Sequence, residues 1–470
     1  MLGLVNNPGS LNAQHNLGRA TSKLNQSIER LSSGFKVNRG ADGPAALVIS
    51  EKQRAQIAGL RAAIDNTDKA ASVVQTAEGA LSEINNLLVK IRSLAIDSAN
   101  SGVNDDDALA ANQAEIANAL ETIDRIAANT QFGEKRLLNG SSGLTGVASD
   151  SDVTFMRATK ATMAGSYAVN ITSAATRANT EATAQDSVLA QDEIVTINGV
   201  SITLNAGLSR AGVQSRINEF TNQTGVVAED NAGGTATVLR TNTFGSSASI
   251  DAISNVAASN DSSGIGTTLI QVAGTDIEGT IGGNTAIGKG NVLTGSDGAS
   301  KGISIKLGVS SSDSTETVTG AQGTVTIINN ALNFQIGPNA GQQVQIAIDS
   351  VASIGLGIGV DNNMFSDLSE INVTSNAGAQ DALALVDSAI NQISNLRGTL
   401  GAFQGNTLEA TANNMRSTLE NTINAESVIR DTDFAQEISN FTNAQVLVQA
   451  GTSVLSNANL SAQLILSLLR

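Results

Sequence analysis

Residues 438–469 contain no Asp, Glu, Lys or Arg, and the run is stepped like a helix. Its marker positions are 434, 438, 441, 445, 448, 452, 455, 459, 462, 466 and 469, alternating steps of four and three. One set is apolar throughout: Phe434, Phe441, Val448, Leu455, Ala462 and Leu469. The alternate set, Ile438, Gln445, Thr452, Asn459 and Leu466, is apolar at its ends and polar between. This is a coiled-coil seam, with polar core residues of the kind that fix register at some cost in stability. For Gln445, Thr452 and Asn459 two readings stand, register control or the wet wall of a channel. A second stripe (Leu447, Ala450, Val454, Ala458, Ile465, Leu468) occupies another face, giving more apolar surface than one partner covers. The length of the uncharged run raises a membrane-spanning alternative. Asn440, Asn443, Gln449, Asn457 and Gln463 make it too polar for lipid, so burial among protein neighbours is expected.

The beginning of the chain has the same character. Residues 2–18 carry no charge, His15 apart, and His15 reads as a packing residue. A helix is expected over about 10–33, with Leu17, Thr21, Leu24, Ile28 and Leu31 on its stripe. The two ends are therefore expected to pair with each other and to pack against copies of themselves. Between this helix and the next lies a strap with three glycines (Gly34, Gly40, Gly43), two bases (Lys36, Arg39) and Pro44. Glycine lets such a strap bend, and its bases are available to acids on a neighbour. A plain solvated loop is the alternative reading.

Pro44 suits a first helical position. The helix after it is expected to run to about Asn100, with Ile57, Leu60, Ile64, Ala71, Val74, Leu81, Ile84, Leu88 and Ile91 on its stripe. Another begins after Asp105, Asp106 and Asp107, whose charge complements a helix N-terminus and lacks the spacing of a calcium loop. Two more are expected at about 377–425 and 433–469. Residues 141–376 read instead as short strands and turns, and they hold 9 bases and 20 acids against 18 and 23 in the two helical ends. The fold expected is α+β and multidomain, with long coiled-coil helices from both termini around a β-rich insert.

Composition narrows function. There is no Cys and a single His, which excludes thiol chemistry, Cys-based zinc sites and His-dependent triads. No cofactor or metal is expected. The formal charge of −16 argues against nucleic acid and anionic membranes. The first twenty residues have neither a basic region nor a long apolar run, so no cleavable signal peptide is expected. Residues 282–291, "GGNTAIGKGN", lack the Ser or Thr that follows the lysine of a phosphate loop.

Several longer motifs resemble one family. "RLSSGFKVNRGADGPAALVIS" (30–50), "AEGALSEINNLLVKIRSLAIDSAN" (77–100) and "IDRIAANTQFGEKRLLNG" (123–140) are similar to the N-terminal region of bacterial flagellin. "GTLGAFQ" (398–404), "AESVIRDTDFAQEISNFT" (425–442) and "LILSLLR" (464–470) resemble its C-terminal region. "EIVTINGVSITL" with "RINEFTNQTGVVA" (193–228) looks like a strand–helix–strand "IN" module, and "LNFQIGPNAGQQVQIAI" (332–348) like the family's β-hairpin.

The resemblance implies a non-enzymatic subunit that assembles head-to-tail into the extracellular flagellar filament and serves motility. A hook–filament junction protein is the alternative, and an enzyme or an adhesin less so. It implies a channel-lining inner layer at 1–44 plus 431–470, a rod at 45–165 plus 325–430, and outer domains at 166–324. The strap then resembles the spoke between the two inner layers, although residues 39–44 depart from the usual family sequence there. Implied partners are further copies of the chain, the flagellar export apparatus and its chaperone, and the filament cap and hook-junction proteins. The terminal segments are expected to be largely disordered in a monomer and to order on incorporation. Lys90, Arg92, Leu94 and Glu115 match the pattern bound by the animal Toll-like flagellin receptor, with Lys90 and Ser93 departing from the usual residues. Asn170, Asn222 and Asn372 fit the N-glycosylation pattern.

Overall fold

A computed structural model describes residues 7–100, 102–311 and 313–468, with side chains described as far as residue 460. The helices are α1 (Pro8–Ser33), α2 (Pro44–Ser98), α3 (Asp106–Asn129), α4 (Arg210–Asn218), α5 (Thr221–Thr224), α6 (Asn376–Ala402), α7 (Ala410–Arg430) and α8 (Phe434–Leu468). A π-helical segment, Phe403–Glu409, separates α6 from α7, so the helix expected over 377–425 is two helices and a wider turn. The residues fall into two compact units, 1–68 with 335–343 and 408–470, and 69–334 with 344–407.

In the first unit, α1 and α8 run antiparallel, as the bonds from Asn7 to Ala458 and from Ser27 to Glu437 require. The early part of α2 buries Leu60, Ala63 and Ile64 against Met415 of α7, with Leu419 beside them. Asp68 and Arg416 close this pair at 3.0 Å. The tip of the β-hairpin, whose strands are Leu332–Gln335 and Gln343–Ile346, brings Pro338 over Gly59.

The second unit begins with helices. Ala70, Val74, Ala77, Leu81, Ile84, Leu88 and Ile91 form a stripe on α2 that is fully or almost fully buried. Buried stripes also mark α3 (Ile116, Leu120, Ile123) and α6 (Ala382, Leu385, Ala389, Ile393). Ion pairs tie the three together: Lys90–Glu115 at 2.5 Å, Arg92–Asp387 at 2.6 Å and Arg397–Glu78 at 2.7 Å. Asp105 caps α3 by accepting the N–H of Ala108 at 2.9 Å.

The β insert has two cores. An antiparallel eight-stranded sheet runs in the order 144–148, 320–329, 165–173, 278–281, 284–289, 292–295, 304–307 and 153–157. Its end strands, adjacent in sequence, meet face to face, with the Phe155 ring occupying the space over Gly146. The sheet thereby curls round an aliphatic core that includes Val169, Ile171, Ile281, Leu293, Ile305 and Val325. Between two of its strands the chain leaves to build a smaller domain, with sheets of four and three strands and α4 around Val195, Ile202, Val213 and Ile250. The strand–helix–strand pattern expected at 193–228 is present there, as Glu193–Ile197, Val200–Leu204, α4 and Val226–Asp230. Its hairpin turns on Asn198 and Gly199, both at positive φ (48° and 82°), the geometry that an Asn-Gly pair adopts readily. The Glu193 carboxylate is buried without a cation and is satisfied by the Ser254 hydroxyl and by the N–H and hydroxyl of Ser263.

Two glycines test this packing from opposite sides. A Cβ on Gly288 would sit 1.5 Å from the Ile277 carbonyl oxygen, whereas one on Gly79, exposed on α2, meets nothing within 4 Å. Gly288→Ala is expected to destabilise the chain by about 3 kcal/mol. Gly79→Ala is expected to stabilise it by about 0.5–1 kcal/mol. Urea unfolding of the two variants measures both.

Candidate assembly surface

The site is built from α1, α8 and the strap. On α1 the residues turned toward α8 are Ser10, Ala13, Leu17, Ala20, Leu24, Ser27 and Leu31, stepping by three and four. On α8 they are Glu437, Phe441, Ala444, Val448, Gly451, Leu455 and Ala458. From Ala13 on α1 and from Phe441 on α8, large residues alternate with small ones. Small residues let two backbones approach closely: a Cβ on Gly451 would lie 3.3 Å from Leu17 Cδ1 and 3.7 Å from Leu17 Cα. At one end Ser27 Oγ donates to Glu437 Oε1 at 2.5 Å, with Arg30 at 3.5 Å. At the other, Ser10 Oγ donates to Asn459 Oδ1 at 2.9 Å.

This intramolecular seam coincides with the expected one at Leu17, Leu24, Leu31, Phe441, Val448 and Leu455. It departs from it by one residue in the alternate sets. Ala13, Ala20 and Ser27 replace Thr21 and Ile28, and Ala444, Gly451 and Ala458 replace Gln445, Thr452 and Asn459. Sets one residue apart share the heptad spacing, and the smaller one admits the closer contact. Phe434 and Ile438 are each 53% exposed and Ile28 is 47% exposed; Gln445 and Thr452 are exposed too, and Asn459, also exposed, reaches back to Ser10. On α8 the apolar side chains left uncovered are Phe434, Ile438, Val446, Leu447, Val454 and Leu460. The side chains of Ala462, Leu466 and Leu469 lie outside the described residues.

The strap is a paired structure rather than a free loop. Phe35 and Asp431 form an antiparallel bridge, so the break after α1 lies against the break between α7 and α8. Lys36 N–H donates to Arg430 O at 2.8 Å, and Thr432 N–H donates to Gly34 O at 2.9 Å. Lys36 Nζ donates to Val428 O at 2.7 Å, and Arg39 pairs with Glu29 at 2.9 Å. Both bases therefore have partners within the chain. The Arg430 guanidinium stacks 4.4 Å from the centre of the Phe35 ring. Of the three glycines only Gly34 needs its freedom, at φ 77° as the cap of α1; Gly40 lies in a short 3₁₀ turn and Gly43 is extended. Pro44 opens α2 as expected. The N–H of Arg39, joined by that of Asn38, holds the Asp42 carboxyl below the usual carboxylate range.

The remaining candidates are scattered over the second unit. Lys90, Arg92 and Glu115 are engaged in the ion pairs already described, and Leu94 is half-buried between turns of α2. Asn170 points outward from its strand. Asn222 is exposed, but the Thr224 that completes its pattern is buried. Asn372 accepts both the N–H and the hydroxyl of Thr374. Among the described residues no cluster of His, Cys, Asp and Glu could hold a metal ion, and no helix is long and apolar enough to cross a membrane.

Two chain ends thus pair as helices and leave apolar side chains of α8 uncovered, with a long β insert between them in sequence. Family models for the bacterial flagellin N-terminal and C-terminal helical regions match residues 5–143 and 383–469. B-type flagellin of Pseudomonas aeruginosa is 32% identical over 99% of both chains. Flagellins of Salmonella muenchen and Salmonella typhimurium are 30% and 32% identical over 98% of both. A FliC structure from Burkholderia pseudomallei, 17% identical, covers 71% of this chain and 98% of its own with a TM-score of 0.24.

The chain belongs to the bacterial flagellin family. It is a structural subunit of the flagellar filament, not an enzyme, and it polymerises with copies of itself outside the cell.

Two measurements test the local geometry. Gly34→Ala is expected to cost about 1 kcal/mol in urea unfolding, and Gly40→Ala to cost little. Asp42 has a folded pKa below its unfolded one, so its contribution is complete above the ordinary aspartate range and is lost as pH falls through the folded pKa. The protection of the Asn38 and Arg39 amides, relative to their intrinsic exchange rates, is expected to fall as pH drops below that range in wild type, and to be already low at neutral pH in Asp42→Asn.

Proposed function

We propose that the filament grows by burying the uncovered band of α8 between neighbouring copies. The observation that carries this is the exposure of Phe434, Ile438, Val446, Leu447, Val454 and Leu460 on one helix, each more than half exposed. A band of this size left in water is unfavourable, and covering it is worth on the order of 25 cal/mol per Å². In this reading residues 1–44 and 431–470 line a central channel, 45–165 and 325–430 form the rod, and 166–324 face solvent. Gln445, Thr452 and Asn459 either fix register against a second subunit or wet the channel wall. The contact is head-to-tail, so it does not close and yields an open helix. Terminal helices that are marginal alone also suit threading through the export apparatus with a chaperone. Contacts with cap and junction proteins at the filament ends belong to the same reading. So does receptor recognition at Lys90, Arg92, Leu94 and Glu115.

The test is the double variant Leu447→Ser with Val454→Ser, both of whose substituted side chains are more than half exposed in the single chain. It is expected to leave the monomer's circular dichroism unchanged and to abolish sedimentable polymer at concentrations where wild type assembles. Assembly at the wild-type critical concentration contradicts the proposal.

A further inference from the structure

Helix α3 carries unlike features at its two ends, both within the second unit. Before its N-terminus, the turn from α2 holds Val103, which is 80% exposed and the barest large apolar side chain among the described residues. Hydrogen bonds tie Val103 and Asn104 to the end of α2. Val103 and Asn104 N–H groups donate to Asn100 O at 3.2 and 3.3 Å, Asn104 Nδ2 donates to Asp97 O, and Asn112 Nδ2 donates to Asp97 Oδ2. Beside it stand Asp105, Asp106 and Asp107, all exposed, and none forms an ion pair among the described residues. Past the other end of α3 lies an open groove of about 350 Å³, lined by Val73, Phe132, Lys135, Leu137, Leu332 and Phe334. Phe132 is 39% exposed on its floor. Lys135 and the adjoining Arg136 are exposed and likewise form no ion pair among the described residues.

We propose that these ends are a matched knob and socket, and that Val103 of one copy seats in the groove of the next while its aspartates face Lys135 and Arg136. The proposal rests on the filament reading above and names a contact for it that the terminal helices do not supply. Charge and shape both select the occupant: an apolar tip with acids beside it fits an apolar groove with bases beside it. Val103 cannot reach the groove of its own chain. The 24 residues of α3 hold the two features about 36 Å apart along a rigid helix. The occupant is therefore a second copy, and a contact between unlike patches repeats without closing. Opposed charges at its rim would steer the approach and penalise the reverse orientation.

The test uses full-length monomer added to sheared filament seeds in about 0.1 M salt, where rim charges are felt over about 10 Å. Two charge-reversal sets are compared, Asp106→Lys with Asp107→Lys, and Lys135→Glu with Arg136→Glu; Asp105 is kept as the cap. Each set alone is expected to slow elongation by about tenfold or more. The quadruple variant is expected to recover to within about threefold of wild type. Val103→Ser, which leaves every charge in place, is expected to slow elongation as well. Circular dichroism of each monomer checks that α3 still folds. Wild-type elongation by both charge-reversal sets, or a quadruple variant no faster than either set, overturns the knob and socket and leaves the filament reading standing. Failure of wild type itself to elongate overturns the filament reading.

Discussion

The antiparallel contact of α1 with α8 governs what the termini can do. Ala13, Ala20, Ala444, Gly451 and Ala458 bring the two backbones close, and Leu17, Leu24, Phe441, Val448 and Leu455 fill the layers between. A pair this thin covers one face of each helix only. The remaining apolar residues of α8 stay in water for as long as the molecule is alone. Small residues in the seam and large ones outside it thus turn an ordinary helix pair into a component that is incomplete by itself.

The strap makes that component one piece with the helices that follow. A chain that breaks after α1 and again before α8 could have left two loose hinges. Instead Phe35 and Asp431 pair across the two breaks, Lys36 and Thr432 add backbone bonds on either side, and Arg430 covers the Phe35 ring. Backbone bonds of this kind cost little to keep and much to leave unmade. Pairing the two interruptions therefore fixes both at once.

Local signals made the helices legible. Pro44, the Asp105 cap and Gly34 sit at helix ends, and the long apolar stripe of α2 is buried almost as written. The alternate seam set was harder, because residues 437, 444, 451 and 458 keep the same spacing as 438, 445, 452 and 459. Nothing in one helix says which set faces its partner. That is decided by how closely the backbones approach, a property of two helices together. The partner of Lys36 was hidden for a similar reason, since Val428 lies 392 residues from it. The curled eight-stranded sheet was least visible. Its closure depends on Phe155 covering Gly146, and its strands at 165–173 and 278–281 are joined only after a whole domain has intervened. Family resemblance carried the function further than any single residue did, and among the described residues no group of His, Cys, Asp and Glu could hold a metal ion.

Hydrogen exchange over residues 8–33 and 434–460, in monomer and in assembled filament, bears on all of this most directly. If the band of α8 is completed only by other copies, these amides exchange readily in the monomer and slow by at least about a hundredfold in the polymer, while the buried stripe of α2 at 81–91 is slow in both. Terminal amides as protected in dilute monomer as in the filament would show that the helix pair is complete alone, and would contradict the account.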